Sequence, residues 1–308
     1  MNRREFAAAA VAGLPLLGAS AGNRIGRSRI SAISDEVATS PADAIAFAKQ
    51  YGLEWLELRN EPGTKRPYFY MQDADLKPAA RAFADAGIRI SFLNTSLLKF
   101  GLPGTEPLSR AKETPEKRPA RLEREQHEFE IRESNLRKCI RAAKTLGTDR
   151  IRVFTFHRVA EPKTLFPRIA EILKPMCDIA EREGVRLLLE NEASCNVGTC
   201  SDAAAFLDVL PHRAFGMNWD SLNGTSLGER PFPEGYALLP KKRIWNVQIK
   251  GKSLLDPSQR LDWVAIFRTL ERDGYSGELG LETHYFDGTN LEKSHASMRE
   301  ILKIAGAD

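Results

Sequence analysis

From residue 29 to residue 305 the chain alternates short apolar or β-branched runs with longer amphipathic stretches, with no low-complexity linker and no break in composition. Such alternation is the pattern of repeated βα units, and it restricts the fold more than any other feature of the sequence. Strands are predicted at residues 29–34, 55–58, 88–93, 150–154, 185–189, 215–218, 244–249 and 279–281. Helices are predicted at 41–51, 75–86, 125–146, 163–182, 202–210, 263–273 and 291–305, where apolar residues recur at three- and four-residue intervals. Gly52, Gly87, Gly147, Gly184 and Gly274 each close a helical pattern shortly before a strand. A left-handed C-cap costs glycine no Cβ clash, so these positions agree with the helix ends. Eight βα units in about 250 residues is the number that closes a barrel. The predicted fold is therefore a single (β/α)8 TIM barrel over residues 22–308, and 42% hydrophobic content can fill its core. A doubly wound sheet is the rival, but no Gly-x-Gly-x-x-Gly follows the first strand. Two segments fit an ideal barrel less well. Before residue 244 only 233–239 could supply a helix, and 94–124, with Pro103, Pro107, Pro115 and Pro119, predicts a long loop over the mouth.

The first residues read differently. Arg3-Arg4-Glu5-Phe6 precedes an apolar run over 7–17 and then Ala19-Ser20-Ala21. A basic start, a short apolar region and a small-x-small site predict a signal peptide over residues 1–21, and a span of about 20 apolar residues would be needed to anchor in a bilayer. Paired arginines before Phe6 resemble the twin-arginine type of signal, which implies the twin-arginine export machinery as a partner and a periplasmic or otherwise exported protein. The net charge of +4, from 45 basic and 41 acidic residues spread along the chain, gives no ground for a nucleic-acid partner. Cys139 and Cys177 fall on apolar helix faces and are expected in the core, while Cys195 and Cys200 flank a loop that an oxidising compartment would allow to be bridged. No Cys-x-x-Cys is present for a structural zinc.

Barrel enzymes carry their chemistry at the C-terminal ends of strands, where side chains from separate loops meet at one mouth. The predicted strands end in Asp35-Glu36, Glu57, Asn94, His157, Glu190-Asn191-Glu192, Asn218 and Asp220, Gln248 and Lys250, and Glu282 and His284. Glu190, Asp220, Gln248 and Glu282 recur about every 30 residues, one βα unit apart, which would set them side by side around half the mouth. Ionised carboxylates that close repel in a partly dry site, so a cation must neutralise them or some must be protonated. One divalent metal ion answers both, and donors that are all oxygen favour Mg²⁺ or Mn²⁺, with Zn²⁺ or Co²⁺ still open. The competing account is that an acidic residue after a strand caps the next helix or pairs with a neighbouring Lys or Arg. Four in register on adjacent strands weigh toward metal.

The motifs Leu187-Leu188-Leu189-Glu190-Asn191-Glu192, Gly216-Met217-Asn218-Trp219-Asp220-Ser221-Leu222-Asn223, Val247-Gln248-Ile249-Lys250-Gly251, and Gly274-Tyr275-Ser276-Gly277 leading into Leu279-Gly280-Leu281-Glu282 resemble the sugar phosphate isomerase/epimerase group of the xylose isomerase-like barrels. The resemblance spans about residues 28 to 305. It implies that Glu190, Asp220 and Glu282 bind one divalent ion; the position of Gln248 is commonly His in a His-x-Lys-Asp string, and here Gly251 replaces the Asp. It further implies a carbohydrate substrate with a carbonyl beside a hydroxyl-bearing carbon, enolised through a cis-enediolate, with Glu190 and Glu282 as ligands and bases. Lys250 and His157 are further catalytic candidates. Glu36, Glu57, Asn94, Asn223 and His284 are expected to bind the substrate. An exported enzyme would not normally meet phosphorylated intermediates, and no Gly-rich phosphate turn follows the seventh or eighth strand, so an unphosphorylated sugar or keto-sugar is expected. Dehydration of 3-dehydroshikimate, cleavage of a 3-keto-glycoside and a non-catalytic sugar-binding barrel are the alternatives. A related abasic-site endonuclease clusters several histidines around three metals, whereas this chain has five in all and no basic stripe with interleaved aromatics. Whether the chain forms a homo-oligomer is open.

Overall fold

The eight apolar runs form eight parallel strands: β1 Ile30–Ala32, β2 Trp55–Leu58, β3 Arg89–Leu97, β4 Arg150–Val153, β5 Arg186–Glu190, β6 Phe215–Asp220, β7 Ile244–Ile249 and β8 Glu278–Leu281. They hydrogen-bond in the order β1-β8-β7-β6-β5-β4-β3-β2, and a parallel bridge between Ile33 and Glu57 joins the two ends of the sheet. The result is the (β/α)8 barrel expected from the alternation. Its coordinates are a computed structural model describing residues 24–108, 113–251, 253–255, 261–285 and 287–306. The predicted signal peptide over 1–21 lies outside the described residues.

Strands covered by helices outside and packed side chains inside carry near-continuous apolar sequence, and Leu187, Leu188 and Leu189 are 0% exposed. Around them lie α1 Ser34–Val37, α2 Pro41–Gln50, α3 Asp73–Asp85, α4 Arg118–Glu130, α5 Arg132–Leu146, α6 Phe166–Arg182, α7 Cys200–Val209, α8 Tyr236–Leu238, α9 Trp263–Arg272 and α10 Asn290–Ile304. Most of the longer ones turn an apolar stripe inward, as α9 buries Trp263, Ile266, Phe267 and Leu270, whereas α4 buries only the Arg121–Glu125 pair. Side-chain caps begin three of them, with Ser40, Thr199 and Asp262 accepting the N–H of Asp43, Asp202 and Ala265. Each such cap is worth about 1 kcal/mol. None of the described helices is long and apolar enough to cross a membrane.

The structure departs from the sequence expectation in two places. The predicted helix over 125–146 is two helices that break at Ile131, where Arg132 donates to the Phe129 carbonyl at 2.6 Å and stacks on its ring. Strand β3 runs on to Leu97, with Asn94 and Thr95 buried on its opposite faces rather than in solvent: Asn94 donates to Glu57 inside the barrel and Thr95 to the Arg152 carbonyl. The segment over the mouth is shorter as a result, and it is tied down by Arg121, which pairs with Glu106, Glu113 and Glu125. The segment before β7 is poor in helix, as expected: α8 is one turn, preceded by a π turn over Pro231–Gly235 and followed by a 3-10 turn over Lys241–Arg243. All four cysteines are buried free thiols, Cys195 and Cys200 included.

Candidate active site

Alternation along the strands decides which side chains point into the barrel. On β7 it aligns Asn246, Gln248 and, just beyond, Lys250; on β6, Asn218 and Asp220; Glu190 closes β5 and Glu282 follows β8. Register brings them together, since Glu190 lies opposite Asn218 and Asp220 opposite Gln248. Glu190, Asp220 and Glu282 each present a carboxylate oxygen within 4.8 Å of the others, and all three residues are buried.

The chain supplies much of the cation that this crowding demands. Lys250 Nζ lies 2.7 Å from Asp220 Oδ2 and 3.0 Å from Glu282 Oε2. Arg152 donates to Glu190 Oε2 at 3.0 Å, and Arg59 stands 3.6 Å from Glu282 Oε1. Burial disfavours the Lys250 ammonium, but Asp220, Glu282 and Glu190 outweigh that and raise its pKa above the ordinary range. Burial raises the pKa of Glu190 and of Asp220 in spite of their cations. For Glu282 burial pushes the same way, yet Lys250, Arg152 and Arg59 together hold it below the ordinary value.

A metal site must also leave lone pairs free. Gln248 Oε1 is a buried oxygen with no donor, while Asp220 Oδ2 and Glu282 Oε2 meet the Lys250 ammonium at 2.7 and 3.0 Å. Carboxylate and amide oxygens that converge in this way, with Lys250 as the group a metal ion would displace, are the donor set that a hard divalent cation takes, so these residues fit one.

The other predicted residues fall into three groups. Glu36 is buried beside Arg59, which donates to its Oε1 at 2.6 Å and to Asp35 at 3.0 Å. Burial opposes its ionisation, but hydrogen bonds from His284 and the charge of Arg59 lower its pKa to about 2. His284, partly exposed and with φ of 56°, has Nδ1 3.5 Å from Glu282 Oε1; Glu36, Glu282 and His284 form a second cluster with close ligand atoms. Asn223 accepts from Lys250 at 3.2 Å and thus belongs to the mouth. Glu57 and Asn94 do not line the mouth. Both are 0% exposed, and Glu57 accepts from Ser31, Asn94, Asn246 and Gln248 inside the barrel. His157 stands apart too: its backbone is held by Phe100 and Asn196, and it lines a cavity of about 270 Å³ with Ser96, Lys99, Phe100 and Arg132 that none of the four proposed ligands borders.

Sequence reasoning passed over Arg59, Arg152 and Asn246. The signal for Arg152 was present in Arg150-Ile151-Arg152-Val153, since residues two apart in a strand share a face and both arginines lie opposite Ile151 and Val153. Nothing in the sequence names its partner.

Residues 45–304 match the family described as the xylose isomerase-like TIM barrel, which is most of the chain. The chain belongs to that family. Among solved structures, this xylose isomerase-like barrel is similar to a Mycobacterium smegmatis protein of the same description in complex with magnesium, at 16% identity over 90% of this chain and 98% of that one, with a TM-score of 0.62. It is also similar to the probable 3-DHS dehydratase AsbF of Bacillus anthracis, at 16% identity over 89% and 98% with a TM-score of 0.64. A third similar structure is the 3-keto-D-glucoside 4-epimerase YcjR of E. coli in its apo form, at 14% identity over 91% and 99% with a TM-score of 0.63. At such identities the likeness is one of fold. No curated protein matches the sequence.

Proposed function

We propose that this barrel is a metal-dependent isomerase or epimerase that moves a proton on the carbon beside a carbonyl of an unphosphorylated sugar or keto-sugar. The observation that carries the reading is the meeting of Glu190, Asp220 and Glu282 within 4.8 Å of one another, beside Gln248 Oε1, a buried oxygen that no donor satisfies. Glu190, Asp220, Glu282 and Gln248 would hold the ion, Mg²⁺ or Mn²⁺ being favoured by oxygen donors. When bound, it would supply Lewis acidity toward the carbonyl and the neighbouring hydroxyl.

The proton work belongs to the chain. Arg152 and Asn218 pin Glu190 Oε2 at 3.0 and 2.6 Å, so Oε1 is the oxygen left to take a proton. As the C–H bond breaks, its electron pair moves onto the carbonyl oxygen. Return of that proton by Glu190 to the adjacent carbon, with the hydroxyl proton passing to the former carbonyl oxygen, isomerises the substrate; epimerisation requires that Glu282 enter the cycle protonated and give its proton to the opposite face of the same carbon, while Glu190 keeps the one it took. Lys250, already shared between Asp220 and Glu282, donates to the substrate oxygen that gains negative charge. Expulsion of a leaving group from the same enolate would make the enzyme a lyase. We further propose, from Arg3-Arg4 and the apolar run behind them, that the mature protein works outside the cytoplasm.

A second reading, a sugar-binding barrel without catalysis, draws on the extent to which Lys250 and Arg152 already neutralise the trio. One experiment separates the two. Metal content is measured for the mature protein and for Glu190→Gln/Glu282→Gln, and proton exchange into keto-sugars is followed in deuterated water. Stoichiometric metal lost in the variant, with wild-type exchange beside a carbonyl, is expected. No metal above background and no exchange would leave the binding reading.

A further inference from the structure

Glu57 is fully buried, and among the described residues it forms no ion pair. Four donors replace the missing cation. Its Oε2 accepts from Gln248 Nε2 at 2.7 Å and Asn94 Nδ2 at 2.8 Å, and its Oε1 from Asn246 Nδ2 at 3.1 Å and Ser31 Oγ at 3.2 Å. Asn246 Nδ2 also donates to Asn218 Oδ1 at 2.9 Å, and Asn218 Nδ2 to Glu190 Oε2 at 2.6 Å. Burial raises the pKa of Glu57 and of Glu190; in their ionised forms both accept only, and this fixes the polarity of every amide between them. The barrel wall is shaped around the same group, for a Cβ on Gly280 would lie 2.0 Å from Glu57 Oε1.

A carboxamide has one donor side and one acceptor side. With Nε2 committed to Glu57, Gln248 must turn Oε1 away from it, and that oxygen is buried and accepts no hydrogen bond. Gln248 lies beside Asp220 in the ladder. We propose that Glu57 is a positioning residue, which by accepting the Gln248 amide holds Gln248 Oε1 toward Asp220 and Glu282 as a fourth oxygen donor for a divalent cation. The proposal rests on the metal reading above and assigns Glu57 a role behind the site rather than in contact with substrate.

Two measurements test it. In metal-free protein labelled with ¹⁵N-glutamine, the Gln248 side-chain amide, assigned with Gln248→Asn, should carry a downfield, slowly exchanging proton that Glu57→Gln abolishes. This signal is read on the wild type even where Glu57→Gln fails to fold. Titration with Mn²⁺ by calorimetry should then show about 10- to 100-fold weaker binding for Glu57→Gln, the usual effect of losing a group that orients a ligand. In a Gln248→Ala background the same change should cost little more, because its target is gone. A solvent-like Gln248 amide in the wild type, unchanged affinity in Glu57→Gln, or full additivity with Gln248→Ala would overturn the proposal. An intact amide signal in a wild type that binds neither Mn²⁺ nor Mg²⁺ would instead bring down the metal reading, and with it the donor role, leaving the hydrogen bond as core packing.

Discussion

The smallest substitution available in the barrel wall should be among the most damaging. Gly280 sits in β8 beside Gln248 of β7, and its backbone is not in the left-handed region, so replacement by alanine brings no dihedral strain. Freed of other effects, Gly→Ala in an extended strand would stabilise by about 0.4–1 kcal/mol through the unfolded chain. Here the new Cβ would stand 2.0 Å from Glu57 Oε1, 2.5 Å from its Cδ and 3.0 Å from Oε2, and the carboxylate must move. The movement breaks the bonds that Oε1 accepts from Ser31 and Asn246. Hydrogen bonds to a charged group contribute about 1.5–3 kcal/mol each, so Gly280→Ala should cost about 3–6 kcal/mol, a large part of the 5–15 kcal/mol that holds a typical domain together. Gly87→Ala is the matched control. Its φ is +73° and its Cβ meets nothing, which leaves strain of about 1–2 kcal/mol alone. Urea unfolding followed by tryptophan fluorescence and circular dichroism measures both. If Gly280→Ala lies within about 1 kcal/mol of wild type, or above Gly87→Ala, then Glu57 is not fixed in the way described.

Other consequences are open to simpler tests. Burial opposes ionisation of Glu192, but the charge of Lys99, 2.7 Å from its Oε2, lowers its pKa from 4.5 to about 2. A lowered folded-state pKa gives stability that is present above about pH 4.5 and fades as pH falls toward 2; the Tm gap between wild type and Lys99→Met should therefore close over that window, and a gap constant from pH 7 to pH 3 would refute the pairing. Burial pushes the thiols of Cys139, Cys177 and Cys195 up to about 12, so none should react quickly with an aromatic disulfide reagent at pH 8 before denaturant is added. Arg121→Leu leaves Glu125, which also accepts the Gly101 N–H, without its cation. Amide exchange at Gly101 should rise well above that of β3, and unchanged protection would show that the ion pairs do not hold this segment.

Much of this architecture is legible in the residue pattern, because period and length report a buried parallel strand directly. The strand-end rule likewise picked out Glu190, Asp220, Gln248 and Glu282, whose one-unit spacing is a property of sequence. It failed where depth mattered. Glu57 is the penultimate residue of β2, Trp55–Leu58, and pairs with Ile33 at the seam of the barrel, so its carboxylate lies inside the wall rather than at the rim. Asn94 was read as the start of a loop for the same reason, since polarity in a sequence cannot distinguish an amide facing water from one facing a buried carboxylate. Partner choice was equally invisible: that Lys250 reaches Asp220 and Glu282, or Arg152 reaches Glu190, depends on three strands meeting.

Seen from Glu57, the departure at residue 248 from the histidine common in the resembling family is a small one. A neutral imidazole donates through one nitrogen and offers a lone pair at the other; a carboxamide donates through Nε2 and offers Oε1. Both satisfy a buried carboxylate on one side while presenting a ligand atom on the other, provided that the carboxylate accepts only. What changes is the atom presented, nitrogen for oxygen. On this argument Gln248→His should keep its bond to Glu57 and move metal preference from Mn²⁺ toward Zn²⁺, whereas Gln248→Glu would set two carboxylates face to face and lose both the bond and the metal.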